Sequence, residues 1–494
     1  MGAFPGRCSV RMCFTARLFW KGALSKLFQC GLAMVFSVAL CGSLAPAQDS
    51  QNENLNGEFQ SAAAAYDAGH YADAEAQLER MLPHAANSFE VRELLGVVYA
   101  SLQQDAKAIE HLDAAVRLNP DSAVARTNLA ATLTRAGKVD QAGEQFRKAL
   151  ELEPSSFDAN HNLGEFYVQT GRLTDALPLL EQAQRIDPSS YGNDYDLALA
   201  DFLTGRLSAS TQVVQSLMEK KNTGELHDLL GQIDEKSGKF IAAENEFETA
   251  SHLDPSEENL FDWGSELLLH RTYEPATEVF RQATRRFPNS PRLMIGLGMA
   301  LDLGGKFDES VKALLTAADL DPSDARCYLF LSQAFDSSPS QAQEVKQRFR
   351  RYAELQPANA LAQYYYALSL WKGSRAGDAN PDLQAVESLL KRSIALDERL
   401  PEAHLQLGNL YADRHDYADS VPEYLRTLEL NPNLADAHFR LGTDYVHLGK
   451  KDLAQEEFET YKKLRAQHLA EVDKEKAEVQ QFVYSSKSAP PAKH

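Results

Sequence analysis

Small and bulky apolar residues recur along this chain mostly every 34 residues, with two steps of 33 and one of 42. Units begin near residues 55, 89, 123, 157, 191, 224, 257, 291, 325, 359, 401 and 435. Position 8 of a unit is small, as at Gly96, Ala130, Gly164, Gly231, Gly264, Gly298, Gly408 and Gly442. Position 20 is usually small as well (Ala74, Ala108, Ala142, Ala176), whereas position 24 is large (Leu112, Phe146, Leu180, Phe280, Tyr424). Apolar residues at positions 7, 8 and 11 share one helical face, and those at 20, 24 and 27 share another. Each unit therefore predicts two amphipathic helices joined by a tight turn, often with Gly at position 15, as in Gly137 and Gly171. Pro at position 32 (Pro120, Pro154, Pro322) stops the second helix, and the Ser, Asp or Asn behind it caps the next. Pro178 and Pro422 are expected near the first turn of a second helix, where a missing N–H matters little.

A hairpin this small cannot bury both of its flanks, and a neighbouring hairpin must cover the rest. The pattern of bulky residue, Leu-Gly and Tyr, then Ala, Phe, Ala and Pro, resembles the tetratricopeptide repeat, over roughly residues 55–465. The resemblance implies an all-α, right-handed superhelical solenoid of about twelve tandem helix-turn-helix repeats. First helices would line a concave groove and second helices the outside.

The ends and irregular units modify this picture. Residues 1–47 hold Arg7, Arg11, Arg17, Lys21 and Lys26 without Asp or Glu, then an apolar run from Leu27 to Cys41 and the sequence Ala45-Pro46-Ala47. That order reads as a secretory signal peptide cleaved after Ala47, and the run is short of the about 20 apolar residues a membrane span needs. Leu40 argues against lipid attachment at Cys41. The expected organisation is signal peptide 1–47, polar leader 48–54, tandem repeats 55–468, a C-terminal capping helix 469–484 and a disordered tail 485–494. Unit 191–223 lacks its closing Pro and has Ser210 at position 20. Ser337-Ser338-Pro339-Ser340 replaces one mid-unit turn, and residues 373–381 read as an inserted loop.

Composition narrows the function. Of 494 residues, 44% are hydrophobic and 24% charged, as in ordinary folded proteins. A net charge of −20 opposes a nucleic-acid partner, which needs clustered Lys and Arg. The mature chain would keep only Cys327, expected as a small buried apolar residue. No phosphate-binding loop, His-Glu-x-x-His or Cys-x-x-Cys motif occurs, so no cofactor, metal or catalytic residue is expected. His404 and His438 hold equivalent positions in successive units and are expected side by side, in ordinary repeat wording.

Binding is the expected activity. By the resemblance, position 6 of the first helix points inward, placing Asn128, Asn162, Asp196, Asp262, Gln406 and Arg440 there. Asn128 and Asn162 resemble the asparagine ladder of the superhelical arm of O-linked N-acetylglucosamine transferase, where amides hold a peptide backbone. An amide suits that task because it both donates and accepts. Tyr195, Phe202, Phe261 and Phe330 are expected on the same inner side as peptide anchors. A solvated polar face and aromatics that seal irregular units are the competing readings. Arg281, Arg285, Arg286 and Arg292, and Lys346, Arg348, Arg350 and Arg351, are expected mostly on outer helices as solvated faces. The resemblance, together with the leader, implies a non-enzymatic scaffold of the cell envelope, periplasmic or extracellular, that binds a protein or peptide and makes no membrane contact once cleaved. An accessory subunit or enzyme of a glycosyl-transfer or secretion system, and a purely structural spacer, are the alternatives.

Overall fold

In a computed structural model, residues 46–337, 341–375 and 382–488 are described, with side chains for 55–335, 341–371 and 382–469. The described residues are all-α, and their helices follow one another as tandem hairpins. The chain divides into two units, Met1–Lys220 and Lys221–His494. Unit one holds the hairpins α1 (Pro46–Asp67) with α2 (Tyr71–Met81), α3 (Phe89–Ser101) with α4 (Asp105–Leu118), and α5 (Ala123–Arg135) with α6 (Val139–Leu152). It closes with α7 (Phe157–Gln169) and α8 (Leu173–Ile186), then α9 (Tyr191–Leu203) and α10 (Leu207–Lys220). Unit two opens with α11 (Gly224–Lys236) and α12 (Phe240–Leu253), α13 (Glu257–Leu269) and α14 (Tyr273–Arg286), and α15 (Pro291–Leu303) and α16 (Phe307–Leu320). Then come α17 (Ala325–Ser337) and α18 (Ala342–Leu355), α19 (Ala360–Arg375) and α20 (Leu383–Leu396), α21 (Pro401–Asp413) and α22 (Tyr417–Leu430), and α23 (Ala435–His447) and α24 (Lys451–Ser488).

The small residues at position 8 are sockets for the bulky ones at position 24. A methyl group on Gly298 would stand 2.5 Å from Leu314 Cγ, and one on Gly164 2.7 Å from Leu180 Cδ2. Phe280 is fully buried and serves two hairpins. A methyl on Gly264 of α13 would lie 2.7 Å from its ring, and one on Gly296 of α15 would overlap the same ring at Cε1 and Cζ. The same ring thus fills the gap within one hairpin and the gap to the next, which is how stacking buries the flank a lone hairpin leaves open.

Caps and turns recur just as regularly. Ser122 Oγ accepts from Ala125 N–H at 3.1 Å, and Ser290 Oγ from Leu293 N–H at 3.2 Å. Position 15 takes the left-handed backbone in the mid-hairpin turns from Gly69 to Gly305 and at His415 and Gly449, with φ 74° at Gly137 and 75° at Gly171. Gln103, Arg271 and His415 hold that position with φ of 59°, 61° and 67°, so the turn imposes its geometry even without glycine. Ser210 is explained by a buried bond: its hydroxyl donates to the Ala198 carbonyl at 2.7 Å, as Ser310 does to Gly298. A polar clasp, with partners 19 residues apart, also recurs between the helices of one hairpin, joining Arg126 to Gln145 at 2.8 Å and His227 to Glu246 at 2.5 Å.

First helices touch the next first helix from α1 through α9 in unit one, and from α11 through α19 and from α21 to α23 in unit two. Second helices rarely do so, α16 with α18 being one instance. Within each unit, the closer approach of first helices makes their side the inner one.

Four expectations change. The polar stretch 48–54 lies inside α1, which starts at Pro46. The capping helix is not a separate element. Residues 451–488 contain neither Pro nor Gly, and Ala466 stands where other units close with Pro, so α24 runs on for 38 residues and takes in 485–488. Pro178 and Pro422 are each the sixth residue of their helices, within the second turn, so each removes one helical hydrogen bond. Gly373 to Arg375 belong to α19, leaving 376–381 of the expected loop outside the described residues. The signal-peptide expectation up to Ala45, with Cys41, falls outside them too, as do residues 338–340 and the end of the tail, 489–494.

Gly296→Val is expected to lower the stability of unit two by about 1–3 kcal/mol, because the added carbons meet the immobile Phe280 ring. Gly57→Ala, where a methyl meets no atom within 4 Å, is expected to be neutral or slightly stabilising. Thermal denaturation of the two variants followed by circular dichroism checks both outcomes.

Candidate functional site

On the inner face of unit one, α5, α7 and α9 lie in series. Asn128 and Asn162 occupy equivalent positions on the first two and are half-buried. Among the described residues no hydrogen bond engages either side-chain amide. Beside them, His161 Nδ1 stands 3.3 Å from Asn193 Oδ1 and 3.9 Å from Asp196 Oδ2, with its ring stacked on Phe157 at 5.4 Å. Burial pushes the His161 pKa below its ordinary value, which favours the neutral ring. Glu165, one turn along α7, accepts from Gln169 Nε2 at 3.0 Å, and burial pushes its carboxyl up to about 7. Asp196 of α9 thus faces His161, the residue before Asn162, and Tyr195 sits half-buried next to it in sequence.

Unit two builds a different inner surface. Arg292 of α15 lies over the Phe261 ring of α13, its guanidinium carbon 3.7 Å from the centroid, and reaches within 3.6 Å of Asp262 Oδ1. Asp228 of α11 is buried alongside, accepting from Gln232 Nε2 at 2.8 Å while its Oδ1 has no hydrogen-bond partner. Burial first, and then the Asp262 charge, hold the Asp228 carboxyl well above its usual range.

The aromatic expectations are corrected here. Phe202 and Phe261 are only 9% and 8% exposed. Phe261 packs edge-on against Phe280 and is roofed by Arg292, so it offers no ring to a ligand. Phe330 is half-buried and packs against the apolar core of unit two. Phe261 and Phe330 thus seal contacts between hairpins of unit two. His404 and His438 do not pair with each other; each clasps the Glu of its own hairpin, Glu423 at 2.7 Å and Glu457 at 2.5 Å. Of the basic residues, Arg281 pairs with Glu309, and Arg348 and Arg351 pair with Asp319, whereas Arg292 lies on a first helix. Cys327 is buried, and burial pushes its thiol up to about 12.

The sequence alone did not reveal His161, Glu165 and Asp228, or the two sets whose ligand atoms converge within 4.8 Å, His161–Glu165–Asp196 and Glu235–Glu266–His270, and it grouped Arg292 with solvated outer faces. A His and a Glu four residues apart on a helix were the available signal, and such pairs are common on solvated helices. The third ligand comes from a neighbouring hairpin. In the second set, burial disfavours the His270 cation, but the carboxylates of Glu235 and Glu266 outweigh it and raise the imidazole to about 9.

Residues 59–123, 127–191 and 261–325 each match the tetratricopeptide repeat family, in register with the hairpins described above. The chain is a tetratricopeptide-repeat protein. Residues 335–479 of this repeat protein also match the family described as bacterial transcriptional activator domain. It is 22% identical over 192 residues to the protein O-mannosyl-transferase TMTC3 of Mus musculus, covering 36% of this chain and 20% of that protein. The Homo sapiens protein of the same name is 21% identical over 191 residues. The repeat protein thus spans about a fifth of the length of these curated relatives. Among solved structures, the one described as pilF of Pseudomonas aeruginosa is similar at 16% identity and a TM-score of 0.38, over 42% of this chain and 96% of that one. Naa15/Naa10 bound to HypK-THB is similar at 15% identity and a TM-score of 0.32, over 82% of this chain and 68% of that one.

The buried Asp228 gives a pH prediction. Its raised pKa means the fold accommodates the protonated acid, so stability is full below the unfolded carboxylate range near about 4 and is lost as pH rises through the folded value. Asp228→Asn, which cannot ionise, is expected to raise the melting temperature by a few degrees at about pH 8 and to change it little at about pH 4. Melting curves at the two pH values check this; a variant less stable at the higher pH would contradict it.

Proposed function

We propose that this tetratricopeptide-repeat protein is an exported, non-enzymatic scaffold of the cell envelope. It holds an extended segment of a partner protein against the inner face of unit one. The observation that carries this reading is the pair of half-exposed, unengaged amides of Asn128 and Asn162 on adjoining first helices. A peptide backbone presents alternating donors and acceptors, and an amide can meet both from one position. Asp196 and Tyr195 on the next helix extend the surface, and the acid favours segments that carry Lys or Arg. The hairpin stack fixes the backbone from which these groups project, so the partner meets a preorganised surface. Export rests on the basic start, the short apolar run and Ala45-Pro46-Ala47 in the sequence.

A second reading, an accessory role in glycosyl transfer, is supported by the similarity to the O-mannosyl-transferases over 36% of the chain. A bound sugar and measurable turnover by the purified chain would favour it over the scaffold.

Affinity capture from envelope extracts, comparing residues 48–494 with the Asn128→Ala/Asn162→Ala double variant, tests the proposal. Each lost amide contact is expected to weaken binding by about 1 kcal/mol, so recovery of a specific partner should fall at least roughly ten-fold. Equal recovery by both would remove the amide ladder. Finding the full-length, uncleaved chain in the cytoplasm would remove the export proposal.

A further inference from the structure

Glu235 lies near the end of α11, Glu266 lies within α13, and His270 caps α13. Their side chains meet where two successive hairpins of unit two adjoin. His270 Nε2 stands 3.2 Å from Glu235 Oε2 and 3.2 Å from Glu266 Oε1, and the three ligand atoms lie within 4.8 Å of one another. An imidazole nitrogen has one proton to give. It is shared between Glu235 and Glu266, and Glu266 Oε1 is buried, on a residue only 3% exposed, with no other donor. Leaving a buried carboxylate oxygen so placed is unfavourable unless something more than a shared proton completes the cluster.

We propose that Glu235, Glu266 and His270 form a binding site for a divalent transition-metal cation of the zinc class. Zinc bonds to imidazole nitrogen and carboxylate oxygen run about 2.0–2.2 Å, so ligand atoms around a tetrahedral ion stand about 3.3 Å apart. Two of the three ligand–ligand edges are already 3.2 Å. On binding, the Nε2 proton leaves to solvent, the freed lone pair bonds the cation, and two carboxylates balance its double charge. Imidazole in the set selects against magnesium and calcium, which prefer all-oxygen ligands. The Phe240 ring, 4.6 Å from the imidazole centroid, helps fix the ring plane. The His270 side chain is 13% exposed, so an ion can reach the cluster from solvent. Bound metal would tie α11 to α13 across two hairpins and so stiffen the stack.

The test uses the full chain after chelator treatment, titrated with zinc sulfate by calorimetry and with cobalt chloride by visible absorption. The expected result is a stoichiometric site, a higher melting temperature with zinc, and cobalt bands of an ion with nitrogen among its ligands. Glu266→Gln, nearly isosteric, and His270→Ala should each weaken zinc binding by about 10–100-fold and abolish the thermal shift. His161→Ala should leave both unchanged, since its cluster is separate. The proposal is overturned if wild type binds no zinc, if Glu266→Gln binds it as wild type does, or if His161→Ala alone removes binding. Should Glu266→Gln fail to fold, the cobalt spectrum of the wild-type chain decides: absorption no different from the free aqueous ion refutes the site.

Discussion

A ring or a leucine seated against a glycine is the contact on which the rest of this molecule depends. Where Phe280 lies between Gly264 and Gly296, the absence of two side chains lets three helices from two hairpins share one buried ring. Dispersion within such a contact is small per atom pair but accumulates over a whole ring, and truncating a buried Phe typically destabilises by about 3–5 kcal/mol. Equivalent contacts recur at Gly231 with Phe247, Gly408 with Tyr424 and Gly442 with Phe458. Stability is therefore distributed along the chain, hairpin by hairpin, each contact closing a flank its neighbour would otherwise leave open.

That arrangement explains why the polar groups can be specific. Clasps such as His404 with Glu423 and His438 with Glu457 hold the two helices of a hairpin in register. The left-handed residue at position 15, even where it is Gln103 or Arg271, sets the angle at which one helix returns along the other. First helices then present Asn128, Asn162 and Asp196 at equivalent positions along the inner side of unit one. The inner face of unit one is neutral amide and acid, while that of unit two is organised around Arg292, Phe261 and buried Asp228. Two surfaces of different chemistry are thus built from one repeated backbone.

The fold was legible because the repeat carries its own punctuation. Helix starts at 89, 123, 157, 191, 224, 257, 291, 325, 401 and 435 fall where the Leu-Gly and Pro signals place them. The missing Pro in unit 191–223 marked an irregular connection, and the division at Lys220 and Lys221 falls there, although its meaning as a boundary was not apparent. The continuous α24 was readable in principle, since neither Pro nor Gly occurs between Lys451 and Ser488. The site was less legible. A period identifies which face a residue stands on, but not what covers that face, so Phe261 reads as a groove anchor and lies beneath Arg292. His270 and Glu235 are 35 residues apart, and neither has a local neighbour that announces the other.

Native-state hydrogen exchange of Phe280→Ala against wild type tests the shared-ring account most directly. If the ring closes both its own hairpin and the next, amide protection must fall in α13, α14 and α15 together while α3 to α8 keep theirs. Loss of protection confined to α14, or spread evenly over all helices, would contradict it.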